Sequence, residues 1–93
     1  MSLIRKNDNY EIKEKLKIFI INNFLLGDHS KTFNDDDSFL EKGIIDSTGV
    51  LELVNFIEET YNIRVEDEEL VPDNLDSLNK IVSYIEKKIG YVS

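Results

Sequence analysis

The 93-residue chain contains no cysteine, which excludes a disulfide framework, a thiolate metal site and a cysteine nucleophile. Its one histidine, His29, stands in a polar stretch far from the serine considered below. It reads as a solvated loop residue rather than as the base of a serine hydrolase, which needs a partnered base close to its nucleophile. No apolar run approaches the ~20 residues of a membrane span. The segment Met1-Ser2-Leu3-Ile4-Arg5-Lys6 lacks the apolar core and cleavage site of a signal peptide, so a cytoplasmic protein without membrane insertion is expected. Strand-like alternation is confined to Ile63-Arg64-Val65, and there are no internal repeats. Paired carboxylates for acid–base work would need burial, whereas the acids here fall on polar helix faces. Neither catalytic residues nor a metal site is expected. Asp35-Asp36-Asp37 lacks the glycine and bidentate glutamate of a calcium loop.

What the chain has is acid, unevenly placed. Residues 1–25 carry five basic and three acidic side chains, and residues 26–93 carry six and sixteen. The net charge of −8 repels nucleic acid and anionic membranes, and it favours proteins with basic docking surfaces. The size allows one domain, 1–93, with a small core. Within it, residues 1–7 read as a loose leader and Asn7, Asp8 or Asn9 as a helix cap.

Periodicity then lays out an all-α chain. Ile12, Leu16, Phe19, Ile20 and Phe24 share one face of a first helix, widened by Ile18, Ile21 and Leu25, with Gly27 as its stop. A long connection follows. One of Asp35 to Ser38 caps a turn through Glu41, and Phe39, Leu40, Ile44 and Ile45 pin the loop, with Gly43 in a left-handed turn. A second helix runs from about Ser47 to Tyr61, with Val50, Val54, Ile57 and Tyr61 as its core stripe, Leu53 beside it and Asn62 as its stop. Glu66 to Val71 reads as a short third helix closed by Pro72. The last helix starts near Asp76 or Ser77, buries Leu78, Ile81, Val82, Ile85 and Ile89, and ends at Gly90. Three long helices and one short one make a small antiparallel four-helix bundle.

Asp46-Ser47 stands where the second helix begins. A helix N-terminus, with its unpaired amides and positive dipole end, favours an anion. A serine there can carry a phosphodiester, although N-capping is the commoner role of either residue. Thr48, Glu52, Asn55 and Glu59 follow a helical spacing on a polar face that begins beside Ser47, flanked by Leu51 and Glu58. A partner reaching Ser47 crosses that track.

Gly43-Ile44-Ile45-Asp46-Ser47 followed by Glu52-Leu53-Val54, the run Glu58-Glu59-Thr60-Tyr61-Asn62-Ile63 and the later Leu75-Asp76-Ser77-Leu78 resemble the acyl carrier proteins and their aminoacyl and peptidyl relatives. The resemblance spans about Ile12 to Lys88 and implies the same helical bundle, expected as a monomer. It implies 4′-phosphopantetheine, donated by coenzyme A, on Ser47 of the Asp46-Ser47 pair, with its terminal thiol holding cargo as a thioester. The implied partners are a phosphopantetheinyl transferase, a loading ligase for acyl or aminoacyl groups, and downstream synthases or transferases. These would meet Thr48, Leu51, Glu52, Asn55, Glu58 and Glu59. The chain departs from the fatty-acid pattern at Thr48, Gly49 and Asn55. Asp-Ser-x-Gly is similar to aminoacyl carriers, including the D-alanyl type, so an aminoacyl cargo stands as an alternative. A second alternative is an unmodified interaction module on the same fold.

Overall fold

The computed structural model describes residues 6–25 and 33–90, and in these every regular element is helical. The expectations for residues 1–5, Gly27 and His29 lie outside the described residues. Helix α1 (Lys6–Phe24) takes in Lys6 to Asn9, which the sequence assigns to a leader and a cap. Its inner face is Ile12, Leu16, Ile20 and Ile21, with Leu16 and Ile20 fully buried. The spacing of four keeps these side chains on one stripe. Ile18, expected to widen that stripe, is 53 % exposed; it lies on the far side of the helix from Leu16 and Ile20, away from the core.

Helix α2 (Ser47–Tyr61) is capped by Asp46, whose side chain accepts the Gly49 amide at 2.7 Å. It ends at Asn62, which adopts the expected left-handed conformation with φ +57°. The core stripe of α2 is centred on Gly49, Leu53 and Ile57, not on Val50 and Val54, which with Tyr61 are only half-buried. Gly49 is what shifts the stripe. A Cβ built on it would lie 2.7 Å from Phe24 Cε1 and 3.0 Å from Ile45 Cγ2, so the backbone of α2 packs directly on these two side chains. Phe24 meets Phe19 edge-on at 5.9 Å, and Phe19 stacks on Phe56 at 4.1 Å. Contacts 24–49 and 19–56 run in opposite directions along α1 and α2, so the two helices are antiparallel.

The polypeptide after α2 is held by Glu58, whose Oε2 accepts the Val65 amide at 2.9 Å. A single 3₁₀ turn, Asp67–Glu69, follows. Pro72 does not close a helix, as expected from sequence, but opens one: α3 is Pro72–Leu75. Proline at a first helical position forfeits no hydrogen bond, because that amide would be unpaired anyway. It also forces Val71 into extended backbone, φ −129° and ψ 153°. Helix α4 (Leu78–Lys88) starts at Ser77, whose Oγ accepts the Lys80 amide at 3.2 Å. Leu78, Ile81, Val82 and Ile85 are buried as expected, joined by Tyr84; Ile89, beyond the last turn, is 38 % exposed. Gly90, with φ +84°, ends the helix.

α4 packs against α1 and α3. Asn9 near the start of α1 donates to Glu86 near the end of α4 at 2.7 Å, so this pair is antiparallel as well. Glu69 ties the 3₁₀ turn to α4. Its carboxylate accepts the Glu66 amide at 2.9 Å, the Tyr84 hydroxyl at 2.9 Å and the Lys88 ammonium at 3.0 Å. The backbone donor, then Lys88 and Tyr84, hold the Glu69 carboxyl below the usual carboxylate range. Burial first, then Glu69, pushes the Tyr84 hydroxyl up. Burial alone raises the Tyr61 hydroxyl to about 12, and that oxygen has no hydrogen-bond partner among the described residues. The result is a small all-helical bundle.

Candidate functional site

The loop that reaches Ser47 is built from two buried aromatics and a turn. Phe33 and Phe39 meet edge-on at 5.6 Å. Ser38 caps the turn by accepting the Glu41 amide at 3.1 Å, and Gly43 takes the expected positive φ of +68°. Phe39 and Ile45 are buried and anchor the loop, whereas Leu40, expected to do the same, is 47 % exposed. The reason is local: the Leu40 amide is drawn to the Asp76 carboxylate at 3.0 Å, and its side chain is left at the rim of a groove. The three aspartates each bind a neighbouring protein group. Asp35 pairs with Lys13 at 2.9 Å, Asp36 accepts from Asn79 at 2.7 Å, and Asp37 accepts the Asn34 amide at 2.8 Å. No group of metal-ligating side chains is found among the described residues.

Ser47 is the first residue of α2 and is exposed. Asp46 occupies two donors of the first turn, taking the Gly49 amide with its carboxylate and the Val50 amide with its carbonyl at 3.0 Å. Among the described residues, no acceptor faces the Ser47 or Thr48 amide. A phosphodiester on Ser47 Oγ would therefore meet two open N–H groups and the positive end of a 15-residue helix. The residues fit such a group. Asp46 keeps the serine free by doing the capping itself, so the N-cap role and the candidate role fall on different residues.

A second Asp-Ser pair, Asp76-Ser77, also opens a helix, but its serine is 2 % exposed and its hydroxyl is spent on the Lys80 amide. It offers no accessible nucleophile.

Of the polar track on α2, Thr48, Glu52, Asn55 and Glu59 are all exposed, and Leu51 beside them is 61 % exposed. The structure thus brings five of the six expected contact residues onto one open face that starts at Ser47. Glu58 differs: it is half-buried, and its carboxylate takes the Val65 amide.

Next to Ser47 lies a groove of about 290 Å³, between α2 and the α3 segment. One wall is Val50, Leu51 and Leu53, the other Leu70, Val71, Pro72 and Leu75, and Phe39, Leu40 and Ile45 form the floor and end. No α4 residue lines it, because the 3₁₀ turn and α3 stand between. Its polar members are Ser47 and Asp76. The signal for it in the sequence is apolar side chains off the core stripes: Leu40, Leu51, Leu70 and Val71 are all substantially exposed. No described helix is long and apolar enough to cross a membrane.

A protein-family model described as a phosphopantetheine attachment site matches residues 25–85, which include the loop, α2, the groove and most of α4. Among curated proteins, the chain is 38 % identical over 84 residues to an acyl carrier protein of Akkermansia muciniphila, covering 90 % of this chain and 99 % of that protein. It is 32 % identical over 80 residues to a D-alanyl carrier protein of Leuconostoc mesenteroides, covering 86 % and 99 %. Members of this family are non-catalytic carriers that bear covalently attached 4′-phosphopantetheine. By these matches and by its helical bundle, the chain belongs to the phosphopantetheine-binding carrier proteins.

Proposed function

We propose that the chain is a freestanding acyl carrier in which Ser47 bears the phosphopantetheinyl arm and the apolar groove beside it receives the cargo. The carrying observation is adjacency. An exposed serine at a helix N-terminus borders a groove whose walls are almost wholly hydrocarbon. The arm's terminal thiol holds the cargo as a thioester. The protein's residues do the rest: Ser47 Oγ would displace adenosine 3′,5′-bisphosphate from the pyrophosphate of coenzyme A and give up its proton as the phosphodiester forms, the first-turn amides and helix dipole would stabilise that phosphodiester's charge, and Asp46 fixes the turn. The groove volume lies near the lower end of the ~300–1,000 Å³ typical of ligand pockets, which suits a short or medium acyl chain. Each methylene it covers contributes about 0.8 kcal/mol. A cytoplasmic location is in keeping with coenzyme A as the donor.

A second reading is an aminoacyl carrier, supported by the Leuconostoc relative named for D-alanine and by the Asp46-Ser47-Thr48-Gly49 run. An ammonium group finds no gain in an apolar groove, so that cargo would remain in solvent. The exposed face of α2 is the docking surface for the transferase and for the loading and downstream enzymes. Its acids would steer basic partners.

Intact-mass measurement after incubation with coenzyme A and a broad-specificity phosphopantetheinyl transferase tests the attachment. The wild type is expected to gain the arm and Ser47→Ala to gain nothing; a wild type that stays unmodified would leave the interaction-module reading standing. Loading the arm with octanoyl or D-alanyl groups then tests the cargo. Octanoyl is expected to raise Tm by several degrees and D-alanyl to leave it unchanged, and equal Tm values would remove the case for the groove.

A further inference from the structure

Asp76, between α3 and α4, is bound three times to the loop that precedes α2. Its Oδ1 accepts the Leu40 amide at 3.0 Å, its Oδ2 accepts the Ser38 hydroxyl, and its backbone carbonyl accepts the Phe39 amide at 3.1 Å. Phe39 passes the constraint forward, since its own carbonyl accepts the amides of Ile44 at 2.9 Å and Ile45 at 3.4 Å. Ile45 is 1 % exposed and immediately precedes Asp46-Ser47. Ser38 is used twice, donating to Asp76 and accepting the Glu41 amide. Asp76 therefore connects to Ser47 through consecutive hydrogen bonds and a buried side chain. A neutral acceptor would satisfy the same donors. The carboxylate makes charge-assisted bonds, roughly twice as strong as neutral ones.

We propose that Asp76 is a positioning residue for transfer to Ser47. By clamping residues 38–45 to the α3–α4 junction, it holds the first turn of α2 so that the Ser47 hydroxyl meets the transferase in one geometry. The proposal rests on the reading of Ser47 as the attachment residue. Positioning and plain stability separate in the kinetics. A variant that only destabilises the fold depletes folded carrier, which raises the KM for carrier and leaves kcat unchanged. A variant that docks normally but holds its serine loosely loses kcat at nearly constant KM, as misplacement of a reacting group does.

The test is steady-state transfer from coenzyme A by one transferase to wild type, Asp76→Ala, Asp76→Asn, Ser38→Ala and Ser47→Ala, each checked by circular dichroism. For Asp76→Ala, kcat is expected to fall roughly tenfold, short of the ~100-fold that a 1 Å misplacement can cost, with KM little changed. Asp76→Asn should recover most of the rate, because its amide oxygen still accepts the Leu40 amide and its nitrogen can donate to Ser38. Ser38→Ala should lie between the two. It carries the test if Asp76→Ala loses helicity, since it removes the Ser38 bonds to Asp76 and from Glu41 and leaves those of Asp76 to Leu40 and Phe39. Wild-type kcat in Asp76→Ala and Ser38→Ala, or a raised KM with kcat intact, overturns the positioning role alone. A Ser47→Ala protein that still gains the phosphopantetheinyl mass overturns the attachment reading itself.

Discussion

Replacing Gly49 with alanine sets two known effects against each other. In a helix, alanine is favoured over glycine by up to about 1 kcal/mol, so on propensity alone the substitution stabilises α2. The structure opposes it. The new Cβ would stand 2.7 Å from Phe24 Cε1, 3.0 Å from Ile45 Cγ2 and 3.3 Å from Asp46 Oδ1. Ile45 is fully buried and β-branched, so its methyl has little freedom. Phe24 is half-buried, but its ring leans on Phe19, which is stacked on Phe56, so moving it disturbs a row of three rings. Overpacking of this kind costs about 1–3 kcal/mol. The propensity gain is also reduced, because Asp46 already caps the Gly49 amide and orders the turn. The net expectation is a loss of about 1 kcal/mol, and a domain of this size then melts about 4–8 °C lower. Thermal unfolding by circular dichroism measures it, with Phe24→Leu as a second background. Leucine keeps the apolar bulk but removes Cε1, so most of the penalty should vanish there, as expected for directly coupled neighbours. A higher Tm for Gly49→Ala in the wild-type background, or an equal drop in both, would refute the packing account and return Gly49 to the role of a mere helix weakener.

Two further outcomes follow from the charges. Glu52→Lys with Glu59→Lys should slow modification several-fold, chiefly through association, and the effect should fade as salt shortens the Debye length to about 8 Å near physiological ionic strength. The matched reversal Glu11→Lys with Glu14→Lys on α1 is the control, and equal slowing by both pairs would mean that only net charge matters. Glu69 is held below its unfolded value of about 4.3 by Glu66, Lys88 and Tyr84. It binds fewer protons folded than unfolded across that window, so its contribution is complete above the unfolded value and is lost as pH falls through the folded one. The Tm advantage of wild type over Glu69→Gln should accordingly be largest near pH 7 and shrink below about pH 5; an advantage that grows on acidification would contradict the bonding at Glu69.

Helix positions were legible in the sequence wherever apolar side chains recur on a stripe, as in α1 and α4. Periodicity places a residue on a circle, however, and does not say how far the neighbouring element reaches around it. Ile18 and Ile89 were assigned to the core for this reason and are exposed. The stripe of α2 was misplaced for a different one. A glycine adds nothing to a hydrophobic pattern, yet Gly49 is the point of closest approach between α2, Phe24 and Ile45. Pro72 was read as a stop when its missing amide equally suits a helix start.

The two Asp-Ser pairs mark where local sequence ends and tertiary context begins. Both dipeptides open a helix, and both serines would suit an N-cap. At α2 the aspartate caps, so Ser47 falls one position later, on the first helical turn and in the open. At α4 the serine caps, and the Asp76 carboxylate turns back to Ser38 and Leu40. The residues that follow bear on this outcome. Leu78 is fully buried and draws the start of α4 into the core together with Ser77, whereas Thr48 is exposed and leaves Ser47 at the surface. Transposing the following residue alone should not bury Ser47, because burial needs a core for that residue to enter. With leucine at position 48, an apolar side chain in the first turn of α2 lies on an exposed face with no core to enter. Ser47 should stay accessible, and Thr48→Leu should be modified at least as fast as wild type. A Thr48→Leu protein that folds but resists modification would show that the residue after the serine governs its exposure even without a core to bury it.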